Sequence, residues 1–389
     1  MRTATLTYKS KSLLCHKWAI LSKKYPLQSS CHYNRKDDSN ANTTKDKRVS
    51  LTDNVIISRI LAFVSYFFNY RGYFMDKYTR EIMNLLKDNF EQVVGIREFQ
   101  MCSEARSYYL ADLSDNLCKP MEENALKAYG QGSGNEIASG KMNALRSSSA
   151  LTYNLFDNKP AYVRNNSEDL RIGSGVYSVE FEKQYHTLKP AVPGNPANLD
   201  AFLYCKETAE AIACEMKMME WIFNKPSNLR YKYMCPENYI NKKCAEIFIP
   251  IVKELILYND YDDPDVVKEE YPCRMTRYDA FQMFKHAVAC YSACAGEESR
   301  SIKKLTLVNC VWTLPVPDRL SLNAYDRYIR EENCEHTEFN EFTKVMQPVK
   351  TLFLDMNVDF DIKFYTFNKF LSLLDKTDEE LSYLRRYTF

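Results

Sequence analysis

Several absences narrow what this chain can do. None of its 13 cysteines is spaced CxxC, so neither a zinc ribbon nor a regular disulfide framework is indicated. Scattered thiols of this kind suit a reducing, cytoplasmic setting. There is no GxSxG elbow and no zincin motif. The five histidines (His16, His32, His186, His286 and His336) leave little material for a hydrolase triad. The glycine-rich stretch GQGSGNEIASG (130–140) lacks the GK[ST] ending of a phosphate loop and follows no predicted strand, so it reads as a loop. Trp18, Trp221 and Trp312 are dispersed, which argues against a sugar-binding cleft walled by indoles. The apolar run VIISRILAFVSYFF (55–68) is interrupted by Arg59 and falls short of the ~20 residues a membrane helix needs. It also lacks a signal-peptide layout.

Net charge is nearly absent too, at +1 for 389 residues, but it is unevenly placed. Residues 1–50 carry eleven Lys and Arg against Asp37, Asp38 and Asp46, so the remainder is acidic in balance. Bulk charge therefore announces no nucleic-acid partner. A DNA site in the main body needs a local basic patch or a bound metal. The first 48 residues are polar, basic and rich in Ser, Asn and Thr, the composition of a disordered segment. The expected organisation is a basic extension, residues 1–74, and one domain, residues 75–389. Met75 opens MDKYTREIMNLLKDNF, in which Ile82, Leu85, Leu86 and Phe90 have helical spacing. It is an expected alternative start of the native protein.

What the chain does contain is charge in apolar company. In NLDAFLYCKETAEAIACEMK (198–217), two apolar runs flank a polar break at 206–209, the pattern of paired strands. With Cys205 opposite Glu210, Asp200 lies directly opposite Glu215, about 5 Å away at Cβ. The side-chain period of two puts Lys217 on the face of Glu215, and Ile212, Cys214 and Met216 on the other. Two carboxylates about 4 Å apart repel by roughly 4 kcal/mol at an effective dielectric of about 20. Lysine offsets part of this. Mg²⁺, or Mn²⁺ in its place, offsets more, because carboxylate oxygens are the ligands such ions accept. A structural ion pair or a different register would use the same residues.

Around this hairpin, SSSALTYNLF (147–156) begins with N-capping serines and predicts a short buried helix. GVYSVEFEKQYH (175–186) alternates as a strand with Val176, Ser178, Glu180 and Glu182 on one face. Residues 75–130 read as helices. Residues 225–275 read as an insert of short elements with an acidic loop, NDYDDPD (259–265). A helix is predicted over 278–295, a strand over 303–314 and a helical tail over 367–386, with Thr377 as an N-cap. DMNVDFD (355–361) fails as a calcium loop, with Phe360 at its sixth position and Thr366 at its twelfth. It reads as alternating acids on an exposed strand face. Gln282, His286, Cys290 and Cys294 recur every four residues, a stripe that core packing explains better than metal binding.

Between 147 and 314 the order is thus helix, three strands, helix, strand. That order, with GSGNEI, SSSALTYNLF, VEFE, NLD and CEMK, resembles the PD-(D/E)XK nuclease superfamily, and within it a bacterial branch. ExK is matched in full by Glu215-Met216-Lys217. The proline before the aspartate is not, since Leu199 precedes Asp200 and the nearest proline is Pro196. The likeness spans about residues 75–389, with its specific motifs confined to 132–217. It implies an α/β (α+β) fold with a restriction-endonuclease-like core: a mixed central β-sheet flanked by helices, order αβββαβ, with helical N- and C-terminal additions. It also implies a Mg²⁺-dependent endonuclease hydrolysing the phosphodiester bonds of DNA. Asp200 and Glu215 would be metal ligands. Lys217 would orient the attacking water or stabilise phosphoryl charge. Glu182 would complete the acid set, with Glu180 and Glu136 as accessory candidates, and Gln282 would touch the site or substrate. The chemistry agrees, because phosphodiester hydrolysis needs an activated water and a stabiliser of phosphoryl charge. A homodimer would match duplex symmetry. The alternative is a catalytically inactive nuclease-fold protein that binds nucleic acid or a protein partner. The joint presence of Asp200, Glu215 and Lys217 speaks against it, since a retired site should lose such charges.

Overall fold

Helix α1 (Lys77–Val94) begins where Asp76 accepts the Thr79 amide at 2.8 Å, buries Ile82, Met83, Leu86 and Phe90, and stops at Gly95, whose φ is +93°. The computed structural model describes residues 75–389 except 101–106, 132–134, 158, 165–170, 195, 224, 258–268 and 297–300. The basic stretch 1–48, the apolar run 55–68, the acidic loop 259–265 and the first three residues of GSGNEI lie outside the described residues. Those described all belong to one unit.

After α1 come α2 (Glu123–Gln131), α3 (Ser148–Phe156), β1 (Ala161–Val163), β2 (Gly175–Tyr185), β3 (Ala197–Cys205) and β4 (Glu210–Lys217). The short turn α4 (Glu220–Phe223), β5 (Leu229–Arg230), α5 (Lys242–Leu255), β6 (Glu270–Tyr271), α6 (Ala280–Ala295) and β7 (Lys304–Val311) follow. The chain closes with α7 (Leu322–Val345), α8 (Val349–Leu354), β8 (Asp359–Thr366), α9 (Phe367–Leu373) and α10 (Asp378–Thr388). Strands β1 to β4 pair antiparallel. Strands β7 and β8 extend the same sheet in parallel, giving the order β1-β2-β3-β4-β7-β8. Strands β5 and β6 make a small separate ribbon. This is a mixed sheet flanked by helices, as expected.

The β3–β4 hairpin has the expected register, with Cys205 opposite Glu210 and Ala201 opposite Cys214. One apolar cluster takes Ala201, Leu203, Ile212, Cys214 and Met216 together with residues of α1 and α3. The other takes Phe202, Ala211, Ala213, Leu305 and Leu307 with α5 and α6. Glu215 and Lys217 share strand parity with Ala211 and Ala213, so they face α6. That helix is placed by the long connection from β4 to its parallel neighbour β7, which must cross one face of the sheet.

Three expectations change. Among the described residues of 95–122 the only helical turn is a 3₁₀ turn at Leu113–Asn116, because Gly95 ends α1 and the bridges Phe99–Leu110 and Tyr109–Ala144 take over. The insert contains a helix of 14 residues, α5, whose Phe248, Ile251, Val252 and Leu255 keep a helical period that Pro250 masks in the sequence. The tail is two helices rather than one. Thr377 restarts it with a capping box in which Glu380 and Thr377 exchange bonds.

Candidate active site

Beyond the Ala201–Cys214 pair, side chains take over from the β3–β4 ladder. Asp200 Oδ2 accepts the Met216 amide at 2.7 Å. Across β2, the pairing of Phe181 with Ala201 and of Lys183 with Leu199 leaves Glu182 facing Asp200 without a ladder pair of its own. Glu182 has φ +48°, a left-handed backbone that costs a residue other than glycine about 1–3 kcal/mol and that gathers at functional sites. Its carboxylate accepts Asn198 Nδ2 at 3.2 Å.

Glu215 is only 2% exposed, and both of its oxygens are engaged. Oε1 accepts Lys217 Nζ at 2.7 Å and Gln282 Nε2 at 2.6 Å. Gln282 Oε1 in turn accepts from Lys217 Nζ at 2.7 Å, closing a triangle. Oε2 lies 2.8 Å from His286 Nε2. An ionised carboxylate can only accept, so Nε2 carries the proton. His286 Nδ1 is then left without a partner among the described residues. Gln282 is fixed from below, because Asp279 caps α6 by accepting the Gln282 amide at 3.1 Å.

The charges are unequal. Burial, then Glu215 and Glu182, push the Asp200 pKa well above the usual carboxylate range. Burial, then Glu215 and Glu136, raise Glu182 to about 7. Burial also opposes ionisation of Glu215, but Lys217 and His286 outweigh it and bring the group down to about 2. Lys217, which burial alone would discharge, is held charged by Glu215 first and then by Glu220, Asp279 and Asp200. At neutral pH the cluster therefore holds an ionised Glu215, a charged Lys217, an Asp200 whose ionisation its surroundings oppose and a Glu182 near its midpoint. Two cavities adjoin it. One of about 210 Å³ is lined by Lys217, Glu220, Asp279, Gln282 and Glu335. The other, of about 390 Å³, is lined by Asn198, Gln282 and His286 and by the segment that follows α4.

Of the residues singled out in the sequence, Asp200, Glu215, Lys217, Gln282 and Glu182 come together. Glu136 stands near enough to raise Glu182 and pairs with Lys141 at 3.4 Å. Glu180 does not join them. It pairs with Lys183 at 2.7 Å and lines a different cavity with Val179 and Phe181. The left-handed residue at 182 interrupts the alternation that would have kept the two glutamates equivalent. Packing alone does not account for His286, since its ring binds Glu215. The signal was its spacing of four from Gln282, which puts both on the α6 face that meets β4.

The carboxylates of Asp200, Glu182 and Glu215 are hard oxygen donors that raise or restrain one another's charge. That is the donor chemistry a divalent cation satisfies. Among the described residues, however, no group of three His, Cys, Asp or Glu already stands together as a ready ligand set. Glu215 accepts two hydrogen bonds at Oε1 and one at Oε2, which leaves a lone pair on Oε2 for a cation. No helix among the described residues is long and apolar enough to cross a membrane. No family model, no curated protein and no solved structure matches this chain.

Proposed function

We propose that the chain is a metal-dependent nuclease of restriction-endonuclease-like type that hydrolyses phosphodiester bonds of DNA. The observation that carries this reading is the convergence of Asp200, Glu215 and Lys217 with Gln282 at the end of the β3–β4 hairpin, with more carboxylate than the one lysine compensates. With β1, α4, α5 and the β5–β6 ribbon set aside, the chain order α3, β2, β3, β4, α6, β7 supports it. Asp200 and Glu215 would hold Mg²⁺ or Mn²⁺, with Glu182 as the third oxygen donor. A bound divalent cation supplies an activated water and stabilises phosphoryl charge. The protein's own groups do the rest. Lys217 brings a positive charge to the cluster, donating to Glu215. Gln282 holds Lys217 and Glu215 in one plane of hydrogen bonds. His286 keeps Glu215 ionised and oriented. A two-fold dimer would suit cleavage of both strands.

A second reading has an observation in its favour. Each Glu215 oxygen already has a hydrogen-bond partner within the protein, as it would in a nuclease-fold chain that binds nucleic acid or a protein partner without cutting. Incubation of the full chain with single-stranded, linear duplex and plasmid DNA in Mg²⁺, Mn²⁺ or EDTA decides between them. The nuclease reading expects cutting only with metal, and a loss of roughly a hundredfold or more in Asp200→Ala and Lys217→Ala. Folded protein that takes up Mn²⁺ in a calorimeter yet cuts nothing, or variants that cut as well as the parent, would overturn it.

A further inference from the structure

The cavity of about 390 Å³ beside the carboxylate cluster has the opposite charge. Arg230, Lys232 and Lys285 line it, with Glu270 as the acid among its lining residues. The three cations against one carboxylate leave two positive charges. Arg230 Nε lies 3.6 Å from Glu270 Oε1, and both side chains are exposed, so that pairing is loose. Lys232 donates to the Pro193 carbonyl at 2.9 Å and keeps its remaining protons. Gly194, at φ +141°, leaves the space for its ammonium that any Cβ would take. Lys285, on α6 between Gln282 and His286, has no hydrogen bond or ion pair among the described residues. Burial first, and then Lys217 and Arg230, work against its charge and outweigh the support of Asp279 and Glu215. A half-buried cation with no hydrogen bond or ion pair is costly, and a bound anion lowers that cost.

His286 also lines the cavity, and Nδ1 is its one unengaged polar atom. With Nε2 held by Glu215, Nδ1 is the ring nitrogen left for a ligand. A phosphate monoester carries up to two negative charges, its second ionisation lying near pH ~6, and so matches the two positive charges left over in the cavity. A phosphodiester carries one.

We propose that this cavity is a phosphate-monoester site that seats the terminal phosphate of a nucleic-acid strand next to the carboxylate cluster. The proposal rests on the nuclease reading for its choice of a strand end over a free nucleotide. The insert between β4 and β7 supplies Arg230, Lys232 and Glu270, so the extra segment becomes an end-binding wall.

The test is fluorescence anisotropy of the full chain in EDTA, where nothing is cut. The probes are short single-stranded oligodeoxynucleotides with 5′-phosphate, 3′-phosphate or hydroxyl ends, and the competitors are inorganic phosphate and a mononucleotide. One phosphorylated end is expected to bind about tenfold more tightly than the hydroxyl end, equivalent to about 1.4 kcal/mol. Lys285→Ala and Lys232→Ala should each abolish that preference while leaving hydroxyl-ended binding and thermal stability intact. Asp200→Ala should keep it. Equal affinity for all ends, or a preference that survives both lysine variants, would sink the proposal. A mononucleotide that displaces the probe as well as the phosphorylated strand does would replace the strand end with a free nucleotide. The two readings fail separately: cutting without end preference removes this site, and end preference without metal-dependent cutting removes the nuclease.

Discussion

Two buried carboxylates in this molecule are treated in opposite ways. Glu331 on α7 is surrounded by donors: Arg277 Nη2 at 2.8 Å, Arg327 Nε at 2.9 Å and the Tyr78 hydroxyl at 3.0 Å. Arg327 also reaches Asp76 at 2.8 Å, tying α7 to the start of α1. Positive charge there equals or exceeds negative, and the cluster is closed by its own chain. Around Glu215 the balance is reversed. One lysine serves Glu215 while Asp200 and Glu182 face it with raised pKa values. The first arrangement has no call on a ligand. The second leaves carboxylate that one lysine does not balance, which is the charge the proposed cation would offset.

The largest expected effect on stability tests the closed cluster. Glu331→Ala leaves two arginines without their shared carboxylate and should lower unfolding free energy by about 3–5 kcal/mol, read by urea denaturation. Asp200→Asn, which removes a repelling charge, should leave the metal-free protein at least as stable as the parent. A Glu331 variant that melts no earlier than the Asp200 variant would erase the distinction between the two clusters.

Metal comes next. Mg²⁺ at about a hundredfold over its dissociation constant should stabilise the parent by about 2.7 kcal/mol, seen as a rise in Tm. Glu331→Ala should show the same increment and Asp200→Asn none. An equal rise in all three would place the cation elsewhere.

The smallest effect comes from a third carboxylate, Glu380 at the head of α10. Burial opposes its ionisation, but the Thr377 amide and Lys376 prevail and bring its pKa down from 4.5 to about 2. A depressed folded-state pKa gives stability that is fully present above 4.5 and is lost as pH falls toward about 2. Asp200, pushed upward, acts in the opposite sense and favours the folded state at lower pH. Tm measured against pH should therefore fall less steeply on the acid side in Glu380→Gln than in the parent. Thr377→Ala, which loses the cap, should cost about 1 kcal/mol at neutral pH.

The carboxylate–lysine geometry was legible in the sequence to the extent that it is local. The break at 206–209 and the apolar alternation on either side set the hairpin register, and with it the meeting of Asp200 and Glu215 and the common face of Glu215 and Lys217. Ser147 and Thr377 announced their caps through side-chain bonds that span three residues. Period and turn chemistry depend on near neighbours along the chain, so letters alone carry them. Alternation failed at Glu182, where the backbone turns left-handed, and Glu180 was lost to the cluster for that reason.

Only the tertiary structure decided the partners of Glu215. Gln282 and His286 reach it from α6 across separations of 67 and 71 residues. Nothing in their own spacing says which sheet face the helix will cover, and that choice belongs to the crossover from β4 to β7. The basic cavity has the same origin, since Arg230 and Lys232 from the insert meet Lys285 from α6 only after both have folded over the sheet. The sequence by itself determined which strand carries the acids and the lysine. Docking of α6 and of the insert decided what surrounds them, because long-range contact is set by how amphipathic faces pack, not by the order of residues within either one.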